Sequence, residues 1–378
     1  MQNLEVVKLF LFVLLVAKVL TDSPPLYAST KVGTDTTQTN QRPAINLGIY
    51  NHYGFIIPHS KDIRDLSTSN PWGLAADLSF HFSDSLSWQY LQTYPRLGIT
   101  FTYYNFDNPE VLGKGYALIL YVEPFLTAQH KFSISLRLGA GLAYMDKVYH
   151  PDRNPENLFY STRISFPLVV NLMANYRLNQ YLNLRAGGTY KHISNGGIRQ
   201  PNKGINFPSA SLGVDYALRP TYFATRELLT TNFPDKSRHY LVAFMFTLKD
   251  RKDNPTDKLP VLGASFYASQ KISRLSALTA GAEWVADYTL KEELQDRGQK
   301  EGFQRAALLG GHELQVGRFR FSQQLGIYVY APATARDPAY QRYGLEYHTA
   351  KKMFWGINLK AHRHVADFLD IRTGLKFP

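Results

Sequence analysis

Apolar and polar or small side chains alternate along FSISLRLGAGLAY, residues 132–144. Its even positions, from Phe132 to Tyr144, are all apolar, and its odd positions are serine, arginine, glycine or alanine. Successive side chains of a β-strand point to opposite faces, so the segment predicts a strand with one apolar face. The same two-residue period recurs in RFRFSQQLGIYVY (318–330) and ADFLDIRTGLKF (366–377). The pattern therefore predicts an all-β protein.

About sixteen such segments follow one another along the chain, many of them near or above ten residues long. That length suits strands that cross a membrane at a tilt. Tight links at Asn179-Gln180 and Gly317 contrast with long polar links such as 147–162 and 291–302. We therefore expect one closed antiparallel outer-membrane β-barrel of about sixteen strands. A count of fourteen stays open, because the 220–237 connection and the short segments near 340–362 are weakly patterned.

Composition narrows the class of partner. The chain has 25 Tyr and 23 Phe, which suit a pleated surface, and no cysteine, which excludes disulfides and thiolate sites. The net charge of +12 favours an anionic partner such as a phosphate-rich membrane surface. Nucleic acid is not expected, because the chain has no long basic block and no nucleic-acid-binding signature.

The N-terminus predicts export. An apolar stretch, LFLFVLLVAKVL (9–20), follows Lys8 and precedes the small-residue site at 26–28. We interpret residues 1–28 as a signal peptide and 29–43 as a polar linker, although an uncleaved anchor stays open. No later run approaches the roughly 20 apolar residues that a membrane helix needs.

A histidine and a serine lie two residues apart before a run of turn formers in YKHISNGGIRQPNKGIN, residues 190–206. Alone, this stretch fits either the end of a strand or a nucleophile with its base. The alternation places His192 and Ser194 on the apolar, lipid-facing side of their strand, and Asn206 has the same parity on the next strand. A turn does not need three polar groups there, so we predict a functional site.

These residues resemble the lipid A deacylase family of the outer membrane, the PagL type, often labelled acyloxyacyl hydrolase-like. The family motif is a His-x-Ser-Asn-x-Gly run followed by Pro-Asn-x-Gly-Ile, which is present here as His192 to Gly197 and Pro201 to Ile205. The close match covers roughly 190–219. Short members are eight-stranded barrels, so the resemblance implies a deacylase-like region at 44–219. We expect 220–378 to supply further strands that complete the barrel.

The resemblance implies roles for individual residues. Ser194 would be the nucleophile and His192 the general base, with oxyanion donors from Asn202, Gly197 and Asn195. The family has a glutamate where this chain has Asn206, and an amide can orient the imidazole but cannot stabilise its cation. Arg199 and Lys203 in the motif loop are candidates for contact with lipid phosphate. No metal or cofactor is expected.

The leading hypothesis is therefore a serine esterase that removes an acyl chain from lipid A in the outer membrane of a Gram-negative bacterium. Its partner would be lipopolysaccharide. The alternative is a catalytically inactive barrel that serves as a pore or a structural protein. The sequence indicates neither which acyl chain would be removed nor an oligomeric state.

Overall fold

The computed structural model describes residues 42–224, 236–251, 257–333, 337–362 and 365–378. The predicted signal peptide and nearly all of the predicted linker lie outside the described residues. Among the described residues, no helix is long and apolar enough to span a membrane.

The described residues form sixteen antiparallel strands, which confirms the predicted all-β class and strand count. The first eight are β1 Ala44–Gly54, β2 Trp72–His81, β3 Arg96–Asn105, β4 Lys114–Glu123, β5 Phe132–Met145, β6 Ile164–Arg177, β7 Leu182–Ser194 and β8 Ile205–Ala217. The other eight are β9 Arg238–Asp250, β10 Lys258–Lys271, β11 Ser276–Asp287, β12 Gln304–Val316, β13 Phe319–Tyr330, β14 Ala339–His348, β15 Met353–His362 and β16 Val365–Phe377.

The strands close into two barrels, so the prediction of one large barrel is wrong. β1 pairs with β8, with Ile49 opposite Val214, and β16 pairs with β9, with Leu375 opposite Val242. Each set of eight therefore satisfies its own strand edges, which in lipid would otherwise leave unpaired backbone groups. Residues 238–377 build a second barrel and do not complete the first.

Both barrels have interiors filled with side chains, as expected for eight strands. In the first barrel Arg185 is fully buried and bonds Glu123, Asp215 and the Tyr50 hydroxyl. In the second, Arg342 and Arg372 share Glu283 and Asp370 in the same way. These ion pairs span the lumen of each barrel at their level.

Among the described residues, two short α-helices lie in connections. α1, Ser85–Leu91, begins at Asp84, whose carboxylate accepts from the Ser87 N–H at 2.9 Å. α2, Tyr288–Asp296, begins at Asp287. The β2–β3 connection, which contains α1, lies at the same end of the barrel as the tight link at Asn179-Gln180 but is much longer. The expected alternation of short and long links therefore holds only in part.

We call the end of the first barrel formed by 55–71, 106–113, 146–163 and 195–204 the motif rim. The apolar cluster beneath it contains Ile193, Ile205 and Phe207, which point inward, together with Tyr104 and Phe159 from neighbouring elements. This cluster fills the lumen at the motif rim and fixes the ends of β7 and β8. The outward-facing positions of the same two strands are thereby held in defined places.

Candidate active site

The β7–β8 hairpin places three polar side chains on one outer face. Register pairs His192 directly with Asn206, and Ser194 follows His192 by two residues on the same face. Arg185 and Lys191 point into the lumen and are 0% and 2% exposed. Leu184 and Leu212 point outward and are 40% and 59% exposed. The predicted orientation of the hairpin is therefore confirmed.

A chain of hydrogen bonds joins the three side chains. Ser194 Oγ lies 3.0 Å from His192 Nε2, and His192 Nδ1 lies 2.6 Å from Asn206 Oδ1. All three side chains are partly buried, so each remains within reach of a ligand at the barrel surface. An activated nucleophile has this geometry, in which a serine is hydrogen-bonded to an imidazole and the imidazole to an orienting group.

The residues after Ser194 form a tight turn that is held by the Asn195 side chain. Gly196 and Gly197 have φ values of +67° and +83°, which glycine adopts without steric cost. The Asn195 amide donates to Arg199 O at 2.7 Å and to Ser161 Oγ at 3.2 Å, and its Oδ1 accepts from the Gly197 N–H at 3.0 Å. Asn195 is thus a buried support of the turn.

The three residues predicted to supply oxyanion donors differ in whether their N–H groups already donate hydrogen bonds within the protein. The Asn195 amide and the Gly197 N–H are both engaged within the turn. Asn202 Oδ1 accepts from the Asn195 N–H at 2.9 Å, and its Nδ2 has no hydrogen-bond partner within the described part of the chain. The side-chain amide of Asn202 is therefore the predicted donor that is available to a ligand.

Gly204 lies directly over the imidazole. A Cβ at this position would lie 2.6 Å from His192 Cε1 and 3.2 Å from the Ser194 Cβ, and its φ is +71°. Its N–H donates to Phe159 O at 2.7 Å, which ties the motif loop to the 146–163 connection. The glycine lets this backbone pass close to the histidine.

The two basic residues of the motif loop differ in their surroundings. Lys203 Nζ donates to Ser60 Oγ at 2.8 Å and forms an ion pair with Asp62. The hydrogen bond from Lys203 holds the pKa of the exposed Asp62 carboxyl below its ordinary value. The Arg199 side chain is exposed. Arg199 is thus the more accessible of the two to an anionic headgroup.

His59 is a site residue that the sequence interpretation missed. It lies in the connection after β1, where its Nδ1 is 3.1 Å from Asn206 Nδ2 and its Nε2 is 2.9 Å from Lys203 O. No motif marks it, and 147 residues separate it from Asn206. Among the described residues, no group of three or more His, Cys, Asp or Glu side chains could hold a metal ion.

Two family models match the chain. Residues 34–215 match the family described as lipid A 3-O-deacylase (PagL), and residues 238–378 match the acyloxyacyl hydrolase C-terminal domain. The search of curated proteins returned no match. The two matched regions coincide with the two barrels, and all of the candidate site residues lie in the first.

Matches among solved structures include the outer membrane enzyme PagL, at 17% identity and a TM-score of 0.32, covering 44% of this chain and 97% of that one. Neisserial surface protein A is 13% identical with a TM-score of 0.29, covering 46% of this chain and 96% of that one. A Rh. blastica porin variant is 10% identical with a TM-score of 0.17, covering 88% and 100%. On the strength of the two family models, the chain belongs to the PagL-type, acyloxyacyl hydrolase-like family of lipid A deacylases.

Proposed function

We propose that this protein is an outer-membrane serine esterase that hydrolyses the 3-O acyl ester of lipid A. The observation that carries the proposal is the hydrogen-bonded series Ser194, His192 and Asn206 on the lipid-facing side of the motif rim. A lipid ester reaches a barrel from its outer surface, so a nucleophile on that side meets the substrate without crossing the lumen.

The reaction has two halves. Ser194 Oγ attacks the ester carbonyl while His192 Nε2 takes its proton, and the tetrahedral intermediate collapses with release of the sugar hydroxyl, which receives that proton. Water then attacks the acyl-serine and loses a proton to His192, which returns it to Ser194 Oγ as the fatty acid leaves. The Asn202 amide is the side-chain donor proposed to stabilise the oxyanion of both intermediates.

Asn206 would act as the orienter of the imidazole. Its oxygen accepts from His192 Nδ1, which leaves the lone pair of Nε2 directed at the serine hydroxyl. An amide carries no charge, so it stabilises the imidazolium that forms during attack less than a carboxylate does. The proposed enzyme is therefore slower than one with an acidic residue at this position.

The direct test uses purified full-length protein and lipid A in detergent micelles, with released fatty acid as the measurement. Ser194→Ala is expected to reduce release to background. Ser211→Ala is the matched control, because it removes a hydroxyl from the same hairpin on the lumen side, where Ser211 Oγ donates to Gly187 O. If the wild type releases no fatty acid while it is correctly folded, the esterase proposal fails and a passive barrel is favoured.

A further inference from the structure

The two ends of the Asn206 side chain face two different histidines. Its Oδ1 lies 2.6 Å from His192 Nδ1, and its Nδ2 lies 3.1 Å from His59 Nδ1. An asparagine amide can rotate to exchange its oxygen and nitrogen, and the neighbouring hydrogen-bonding groups decide which orientation is stable. The orientation of this amide has a chemical consequence for His192.

If the amide nitrogen faced His192, the imidazole would have to accept at Nδ1. The neutral ring would then carry its proton on Nε2, directed at Ser194 Oγ. A protonated Nε2 cannot take the serine proton, so that tautomer of His192 is inactive as a general base. The amide must present its oxygen to His192 for the proposed chemistry to start.

A fixed backbone carbonyl determines the tautomer of His59. Lys203 O can only accept, so His59 Nε2, at 2.9 Å, must donate. The neutral His59 ring then has its lone pair on Nδ1 and accepts from Asn206 Nδ2. The Lys203–Gly204 peptide is itself held, because the Gly204 N–H donates to Phe159 O and the Lys203 N–H donates to Leu158 O.

We propose that His59 is a positioning residue for ester hydrolysis: it fixes the Asn206 amide with its oxygen toward His192 and so sets the tautomer of the general base. This inference rests on the proposed esterase function. It explains how an asparagine serves where the family has a glutamate. A carboxylate has two equivalent acceptor oxygens and needs no such partner, whereas an amide must be held in one orientation.

The first test measures hydrolysis of the 4-nitrophenyl ester of palmitate in detergent micelles by the full chain. His59→Ala is expected to lower kcat by roughly ten- to a hundredfold, the scale of a misplaced general base, with little change in KM. His59→Gln is expected to recover much of the rate, because its amide can both donate to Lys203 O and accept from Asn206. His130→Ala, on the opposite end of the barrel, is the control and is expected to match the wild type.

The second test separates orientation of the amide from general support of the loop. In an Asn206→Asp background, His59→Ala is expected to cost less than about threefold, since the carboxylate offers an acceptor in either orientation. An equal loss in the wild-type and Asn206→Asp backgrounds would overturn the inference, as would a wild-type rate for His59→Ala.

The tautomer can be measured without turnover. In ¹⁵N-histidine-labelled protein, with the His192 signals assigned by comparison with His192→Gln, the wild type is expected to carry the His192 proton on Nδ1. His59→Ala is expected to move part of the population to the Nε2-protonated form. If the wild type hydrolyses no ester, the proposed function fails, and these spectra still decide the role of His59: an unchanged tautomer in His59→Ala overturns it.

Discussion

At the scale of single residues, the site depends on how closely backbone and side chains approach His192. The motif residues on β7 and β8 could be placed from the sequence, because strand parity decides which side chains share a face. His59 could not, because it lies outside any strand and meets Asn206 only through the closure of β1 on β8. Long-range pairing of this kind leaves no local pattern.

Gly204→Ala is expected to reduce esterase activity at least tenfold while the barrel still assembles. The added methyl group would lie 2.6 Å from His192 Cε1 and would sit on a backbone with φ +71°. Such strain costs of order 1–3 kcal/mol, which the loop can relieve only by moving the imidazole or itself. Activity on the palmitate ester and heat-modifiable gel mobility measure the two effects. Gly298→Ala, also at positive φ but in the second barrel's connection, is the control.

Asn206→Asp is expected to raise kcat by about fivefold. Hydrogen bonds to a charged acceptor are roughly twice as strong as neutral ones, which corresponds here to about 1 kcal/mol of extra stabilisation of the imidazolium. The aspartate has the length of the residue it replaces, so the 2.6 Å contact with His192 Nδ1 can be retained. His59→Ala removes the Nδ1 lone pair that would face the second carboxylate oxygen. A correctly folded Asn206→Asp enzyme that is slower than the wild type both alone and combined with His59→Ala would contradict the assignment of Asn206 as the orienter.

At the scale of the element, the β7–β8 hairpin separates a lipid face from a lumen face. The two-residue period predicted this separation along with the strands themselves, because burial on one face is a local property. The link lengths were less informative. The connection at 82–95 folds into α1 with its own capping aspartate, so its length does not identify its side of the membrane.

Leu212→Arg is expected to lower barrel assembly markedly, and Leu218→Arg is its matched control. Leu212 faces outward within β8, whereas Leu218 lies just beyond the end of the strand. An arginine on the lipid face costs about 2–4 kcal/mol at the bilayer midplane and about 0–1 near the interface. Folded fraction in lipid vesicles, read from gel mobility without heating, measures the difference. Equal effects of the two substitutions would contradict the assigned membrane-facing surface.

At the scale of the whole molecule, the sequence predicted sixteen strands but not how they close. Alternation reports the face of each strand and carries no information on which first and last strands pair. The weakly patterned 220–237 connection was the one local indication of a boundary, and the strands before it and after it close into separate barrels. Each strand of the first barrel pairs only with other strands among β1–β8, so this barrel closes without help from the second.

A chain that ends at residue 224 is therefore expected to assemble as a closed barrel and to retain ester hydrolysis. It keeps Phe223, which packs against the cluster of Trp88 and Tyr94, and it keeps the Ala224 carbonyl that accepts from the Tyr94 hydroxyl at 2.7 Å. A chain that ends at residue 206 lacks most of β8 and is the control that cannot close. Failure of the 224-residue chain to assemble would show that the barrels depend on each other.

We propose that Ser194 of the first barrel deacylates lipid A from the lipid side. The most direct measurement is mass spectrometry of lipid A from Gram-negative cells that express the wild type or Ser194→Ala at equal levels in the outer membrane. We expect lipid A lighter by one acyl chain with the wild type, and unmodified lipid A with Ser194→Ala. Unmodified lipid A with both proteins, or the same loss of an acyl chain with both, would rule out Ser194 as the nucleophile of lipid A deacylation.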